Sequence, residues 1–209
     1  MIASIQYNSE IYQIDLSLPL DISIPLRASN SNVNAWYLDA PKMDPVKFGD
    51  WVGNVEAGAD VNFNNIMFNP HAHGTHTECV GHITKKVHSI NENLKQFFFF
   101  AEVVTIPPEK VKGDFVISKK LLQFALGNKK RDAIIIRTMP NTKEKLSRQY
   151  SNTNPTYLLE DAAIYLKETG VKHLLVDVPS VDKEKDGGKL LAHNAFWNTK
   201  GKLRLDATI

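Results

Sequence analysis

Cysteine is almost absent: Cys79 stands alone among 209 residues, so no disulfide can form within the chain. Long apolar runs are absent as well. Nothing approaches the roughly 18 to 20 apolar residues of a membrane-spanning helix, and no basic-then-apolar leader precedes the first strand. Neither sign of charge dominates, with 25 Lys and Arg against 23 Asp and Glu and a net charge of +2. The lysines are scattered, and the short cluster Lys129-Lys130-Arg131 reads as a solvated turn. Without a continuous basic face, nothing points to nucleic acid. Internal repeats and low-complexity tracts are missing too. These absences lead to the expectation of a soluble cytoplasmic chain with neither membrane nor nucleic acid as partner.

What is present is a core-forming composition and one dense run of histidine. The chain is 43% hydrophobic and 23% charged, which suits a single domain spanning residues 1–209. Four of the seven histidines fall in Asn69-Pro70-His71-Ala72-His73-Gly74-Thr75-His76-Thr77-Glu78-Cys79-Val80-Gly81-His82. Imidazole nitrogen and carboxylate oxygen are the ligands that divalent zinc, manganese or iron accept. Pro70, Gly74 and Gly81 punctuate the run and predict a bent, exposed path rather than a helix. In extended backbone, residues two apart face the same way, so His76 and Glu78 can reach one ion. Gly74 allows close approach or positive φ, and Thr75 offers a hydroxyl to support a ligand.

Along the chain, residues 3–17 predict a hairpin: Ile5 and Tyr7 alternate before Asn8-Ser9-Glu10, then Tyr12, Ile14 and Leu16. Asp21-Ile22-Ser23-Ile24 predicts a third short strand. Residues 27–65 read as a long irregular loop in which Trp36, Tyr37 and Trp51 either wall an aromatic pocket or pack on the core. Ser89-Ile90-Asn91-Glu92 has the form of a capping box opening a short helix. Phe97–Ile106 predicts a strand covered on both faces, ended by Pro107-Pro108. Ser118 caps a helix to about Leu126, with Gly127 after it. Ala133–Ile136 predicts a buried strand, Asn154-Pro155 the start of a helix striped by Leu159, Ala162, Ala163 and Leu166, and Val171–Val178 another strand. Leu190–Trp197 predicts a helix or turn, and Leu203–Ile209 a final strand that either ends flush with the fold or continues in a longer natural chain. Strand, helix, strand in the second half implies parallel pairing, so the expected class is mixed α/β.

Gly74-Thr75-His76-Thr77-Glu78-Cys79-Val80-Gly81-His82 resembles the signature of the metal-dependent cyclase family that includes the kynurenine formamidases, His-x-Gly-Thr-His-x-Asp-x-Pro-x-His. Asp15-Leu16-Ser17, the strand end Ile136-Arg137-Thr138, and Val176-Asp177-Val178-Pro179-Ser180-Val181-Asp182 followed by His193 agree in order and character. The resemblance implies a mixed-sheet swivelling β/β/α domain, assembled as a homodimer or homotetramer, with one or two divalent ions, Zn2+ or Mn2+. It implies metal ligation by His76 and Glu78, with His193 as a further ligand, and proton transfer by His82. Ala72 stands where the family has its first histidine, leaving His71 or His73 to supply that nitrogen; the Pro70 bend favours His71. Glu78 replaces aspartate and Val80 replaces proline. No glutamate follows His193, so Asp206 or a residue beyond Ile209 is the candidate for the family's closing carboxylate.

The reaction so implied is hydrolysis of a C–N amide bond in a small-molecule substrate: an aryl formamide, as in the N-formylkynurenine step of tryptophan catabolism, or a cyclic amide. His71, His76, Glu78 and His193 would hold the ion. His82, too far along the run to be an obvious co-ligand of His76, would shuttle the proton. Asp177 or Asp182 would orient a histidine through its second ring nitrogen. Cys79 should point away from the metal as a small buried thiol, and His88 and His173 read as surface or packing residues. Two other classes compete. His71-x-His73 with Glu78 also fits a cupin dioxygenase, although that all-β fold conflicts with the helix and strand alternation over 118–178. A non-catalytic metal-binding scaffold is the other.

Overall fold

The alternation at the start of the chain does produce a hairpin. In the computed structural model, which describes residues 1–209, β1 (Ile2–Tyr7) pairs antiparallel with β2 (Glu10–Asp15). Asn8 takes a left-handed φ of 56° in the turn, a conformation asparagine tolerates better than most residues. The third strand expected at Asp21–Ile24 does not form; instead the Ile24 amide donates to Thr75 Oγ1 at 2.9 Å. Residues 27–65 are more ordered than their composition suggests. β3 (Lys42–Pro45) pairs antiparallel with β6 (Asn64–Met67), and between them β4 (Lys47–Phe48) pairs with β5 (Trp51–Val52). Together they make an arm. Proline, glycine and paired asparagines have low strand propensity, so pattern alone reads it as loop.

The histidine run and the residues after it supply single turns: α1 (Pro70–His73), a 3-10 turn at Val80–His82, and α2 (Ile90–Asn93), whose Ser89 hydroxyl accepts from Asn91 N. Thereafter the core is built by β7 (Ala101–Ile106), β8 (Glu109–Val111), β9 (Asp114–Ile117), α3 (Lys119–Leu126), β10 (Ala133–Thr138), β11 (Tyr157–Leu158), α4 (Glu160–Glu168), β12 (His173–Val176) and α5 (Leu191–Trp197). β10 lies between β7 and β12, parallel to both, while β9 pairs parallel with β11 and antiparallel with β8. The class is mixed α/β, as expected. Leu122, Leu126, Ala162, Ala163, Leu166, Phe196 and Trp197 from the helices bury against Val104, Ile106, Ile134, Ile136 and Leu174 of the parallel sheet.

Several boundaries move. Phe97–Phe100 stay outside β7: Phe97 and Phe98 are exposed, Phe99 lies 3.8 Å from the His173 ring, and Phe100 stacks on Tyr7 at 4.2 Å. Nor is β7 covered on both faces, because Val103 is 58% exposed on the side away from the helices. Asn154-Pro155 does not open a helix; β11 intervenes and α4 begins at Glu160. The strand expected over Val171–Val178 is shorter, His173–Val176. Leu203–Ile209 forms no strand, but Thr208 bridges both His173 and Cys79, and the amides and carbonyls of Glu78 and Ile209 exchange hydrogen bonds of 2.8 and 3.0 Å. That exchange stitches the histidine run to the edge of the parallel sheet beside β12. No helix is long and apolar enough to cross a membrane.

Candidate metal centre

Asn69-Pro70 begins α1 in the way such pairs commonly do. Asn69 Oδ1 accepts from His71 N at 2.9 Å as N-cap, and Pro70 occupies the first position, where its missing N–H costs nothing. The path is therefore two short turns joined by extended backbone rather than a wholly irregular bend, and Ala72, His73, Cys79 and Val80 are buried along it. Gly74 is extended at φ 179°, so no left-handed conformation demands glycine there. Two outside groups fix α1: Trp36 Nε1 donates to His71 O at 3.1 Å, and Asn32 Nδ2 to His73 O at 2.8 Å. Trp36 therefore braces the turn through its polar end. Tyr37 is exposed and donates its hydroxyl to Glu184. Thr75 is spent on the Ile24 amide and supports no ligand.

His71 and His73 differ in their hydrogen bonding. His73 is 3% exposed, its Nδ1 accepts from the Asn69 amide and its Nε2 faces Asp39 O, each at 2.9 Å, so neither nitrogen is free for a metal. His71 Nδ1 instead lies 3.2 Å from Glu78 Oε2. His82 Nε2 is 3.4 Å and His76 Nε2 3.9 Å from the same oxygen, and His193 Nε2 is 3.2 Å from Glu78 Oε1. His76 Nδ1 faces Gly74 O at 3.1 Å, a contact that leaves Nε2 turned inward with its lone pair. All five residues singled out in the sequence, His71, His76, Glu78, His82 and His193, thus meet at one place. Separation along the run does not keep His82 apart: His71, Glu78 and His82 offer ligand atoms within 4.8 Å of one another. The 3-10 turn brings His82 back over Glu78, stacked on His71 at 4.5 Å between centroids.

A layer of carboxylate and indole lies behind this set. Asp182 is buried; its Oδ2 accepts from His193 Nδ1 at 2.5 Å, and its Oδ1 accepts from Ala192 N at 2.7 Å, so one carboxylate caps α5 and aims His193. Of the two aspartates considered, Asp182 is therefore the orienting group. Asp177 accepts from Thr138 N and Oγ1 and from Lys145 Nζ instead. The fully buried Trp197, unmarked by any motif, packs 5.3 Å from the His193 ring and donates Nε1 to Ala207 O. Its spacing from His193 on one helix face is the signal that could have found it. Asp206 is turned outward toward Lys172 at 3.7 Å and takes no part, so it does not supply the closing carboxylate. Cys79 is buried with Sγ 3.1 Å from His88 O, as its alternation predicts. His173 is buried and bonded through Nδ1 to Thr208 Oγ1, a packing residue.

Charge reinforces the geometry. Burial alone would lower the pKa of His193, but hydrogen bonds to Asp182 and Glu78, with their charges, push it up to about 9. Burial would raise the Glu78 carboxyl, yet the His193 hydrogen bond and the charges of His82, His193 and His76 hold it below its usual value. Burial lowers His82, the Glu78 charge opposes this, and the neighbouring imidazoles add to the lowering. A largely buried carboxylate ringed by imidazole nitrogens, one of them backed by a second carboxylate, is a donor set suited to a divalent cation.

The fold recurs among solved proteins. A protein described as a predicted metal-dependent hydrolase from Bacillus stearothermophilus superposes with a TM-score of 0.53 at 14% identity, over 85% of this chain and 76% of that one. A structure described as a potential metal-dependent hydrolase with cyclase activity gives a TM-score of 0.52 at 13% identity over 84% of this chain and 75% of that one. An isatin hydrolase bound to the product analogue thioisatinate gives a TM-score of 0.57 at 13% identity over 86% and 73%. At such identities the likeness is one of fold. No curated protein matches the sequence. The family model described as "Putative cyclase" matches residues 14–183, most of the chain and including the histidine run and Asp182, and the chain accordingly belongs to the cyclase family.

Proposed function

We propose that the chain is a metal-dependent hydrolase that cleaves the C–N amide bond of a small carbonyl compound, either an aryl formamide such as N-formylkynurenine, which would place it in tryptophan catabolism, or a cyclic amide. The observation that carries this reading is the convergence of four imidazoles on the single carboxylate of Glu78. The fold shared with an isatin hydrolase keeps cyclic amides in the substrate class. His71, His76, Glu78 and His193 would hold one ion, zinc or manganese. Bound there, it would supply a water whose pKa falls to about 7 and would polarise the substrate carbonyl.

The chain's own groups do the rest. Asp182 fixes the His193 ring so that Nε2 faces inward. His82 sits at the rim with its side chain 34% exposed, within reach of solvent and of a leaving nitrogen. Its lowered pKa keeps it neutral near pH 7, ready to take a proton from water and return it to the amine. A sheet with parallel strands backed by helices is not a jelly roll, which removes the cupin reading.

The test is metal content alongside turnover of N-formylkynurenine and cyclic imides. Glu78→Ala should lose both metal and turnover. His82→Ala should keep the metal and lose turnover by about 10²- to 10⁴-fold. If His82→Ala empties the site, His82 is a ligand rather than a proton carrier. A metal-loaded wild type that turns over no amide, ester or imide would make the chain a binding scaffold.

A further inference from the structure

The two halves of the metal centre come from distant parts of the chain, His71 from α1 and His193 from α5. Inside the centre they share the carboxylate of Glu78. Outside it, a second path joins them. Trp36 and Tyr37 both take left-handed backbone, at φ 59° and 62°. Bulky residues adopt that region only where their surroundings force it. Trp36 lies outside the main core and packs on a small cluster of Val33, Ala35 and Tyr150, so the forcing contacts are polar. Tyr37 N donates to Ser151 Oγ at 2.8 Å, and the Tyr37 hydroxyl donates to Glu184 Oε1 at 2.6 Å. Glu184 is fixed in turn: Oε1 also accepts from Asn152 N at 2.6 Å, and Oε2 from Asn154 N at 2.9 Å. Lys185 Nζ lies over the Tyr37 ring, 5.9 Å from its centroid.

What the strained pair delivers is the Trp36 indole. Its Nε1 donates to His71 O at 3.1 Å, and that carbonyl belongs to a helix of only four residues. So short a helix cannot hold itself in water, and its position is set by what is tied to it. At the other end of the path, Glu184 lies two residues past Asp182, whose carboxylate orients His193 through Nδ1. We propose that Tyr37 and Glu184 form a clasp that holds the Trp36 turn against His71 O and so fixes His71 relative to the Asp182–His193 pair. Both are then positioning residues for the bound ion. This rests on the reading that the histidine centre holds a divalent cation, and not on which amide is cleaved. A carboxylate that accepts from a hydroxyl and two backbone amides suits the task, because charge-assisted hydrogen bonds are short and strong.

Two measurements on the full chain test it. The first needs no metal: in chain carrying isotope-labelled indoles, exchange of the Trp36 Nε1 proton should quicken by about 10-fold in Glu184→Ala and in Tyr37→Phe, although neither change touches the indole. Trp197, whose indole bonds to Ala207 O, is the unaffected control. The second uses Zn2+ and Co2+. Glu184→Ala and Trp36→Phe should each weaken Zn2+ binding by about 10-fold in competition with a chelating dye, and should shift the visible absorption bands of bound Co2+, which report ligand geometry. Glu184→Gln keeps one oxygen that can accept from Tyr37 and should recover part of both effects. A purely structural role would lower the melting temperature and leave the bands in place. Should Glu184→Ala fail to fold, Tyr37→Phe serves for both measurements, since it removes one hydroxyl from an exposed ring. Folded variants that keep either the wild-type Co2+ bands or the wild-type indole exchange overturn the proposal. If the wild type binds neither ion, the hydrolase reading falls and the indole alone decides the clasp.

Discussion

His193 depends on two residues that no ligand motif includes. Asp182 aims its ring and Trp197 backs it, so both should matter without touching an ion. Asp182→Asn should lower metal affinity by about 10- to 100-fold, read by competition with a chelating dye, while the folded spectrum persists. Trp197→Ala should reduce stability by about 3–5 kcal/mol in denaturant unfolding, because a fully buried indole leaves a cavity that the core cannot fill. At this scale the sequence was informative about residue type and less so about roles. Ligand chemistry singled out the histidine run with Glu78, the family resemblance added His193 and a role for His82, and His71, His76, Glu78, His82 and His193 all meet. Which of His71 and His73 faces inward was not readable from spacing, because the answer lies in the Asn69 amide and the Asp39 carbonyl occupying both His73 nitrogens. Likewise, Asp177 and Asp182 are alike in sequence context and differ only in what packs against them.

Elements hold the centre through their junctions. Gly81 sits between Val80 and His82 in the 3-10 turn, and a Cβ there would come within 2.2 Å of His88 O. Backbone cannot yield as a flexible side chain can, so Gly81→Ala should shift His82 and lower thermal stability by about 1–3 kcal/mol, seen by calorimetry. A second junction ties β9 to the loop that carries Asp182: Asp114 accepts from Lys183 Nζ at 2.6 Å, Tyr157 Oη and Asn154 Nδ2. Those hydrogen bonds, the Lys183 one foremost, lower the Asp114 pKa from 3.8 to about 2. A carboxyl whose folded pKa lies below its unfolded one stabilises above the unfolded value and stops doing so as pH falls through the folded one. The melting-temperature gap between wild type and Asp114→Asn should thus be present at pH 6 and close as pH drops from about 4 to about 2. Capping marked α3 through Ser118, and the stripe of Ala162, Ala163 and Leu166 marked the body of α4 although its start lies at Glu160 rather than at Asn154-Pro155; Leu190–Trp197, read as a helix or turn, contains α5. Periodicity failed where pairing, not pattern, defines the element: the β3–β6 arm, and Thr208, whose backbone bridges to Cys79 and His173 form no strand.

For the whole molecule, parallel pairing and the mixed α/β class were legible because strand, helix and strand alternate through the second half. The shape was not, because nothing in a linear pattern distinguishes a ribbon packed on its own core from one left bare. The centre also has a history built into its connectivity. Glu78 meets His193 across 115 residues, and its backbone is clasped by Ile209. On the ribosome, the nascent chain presents His71, His76 and Glu78 long before those later groups have emerged. If the centre holds an ion as proposed, one captured at that point would have three donors and no sheet behind them, so firm loading would await the emergence of Asp182 and His193, and ribosome-stalled chains truncated before His193 should release metal readily to a chelator.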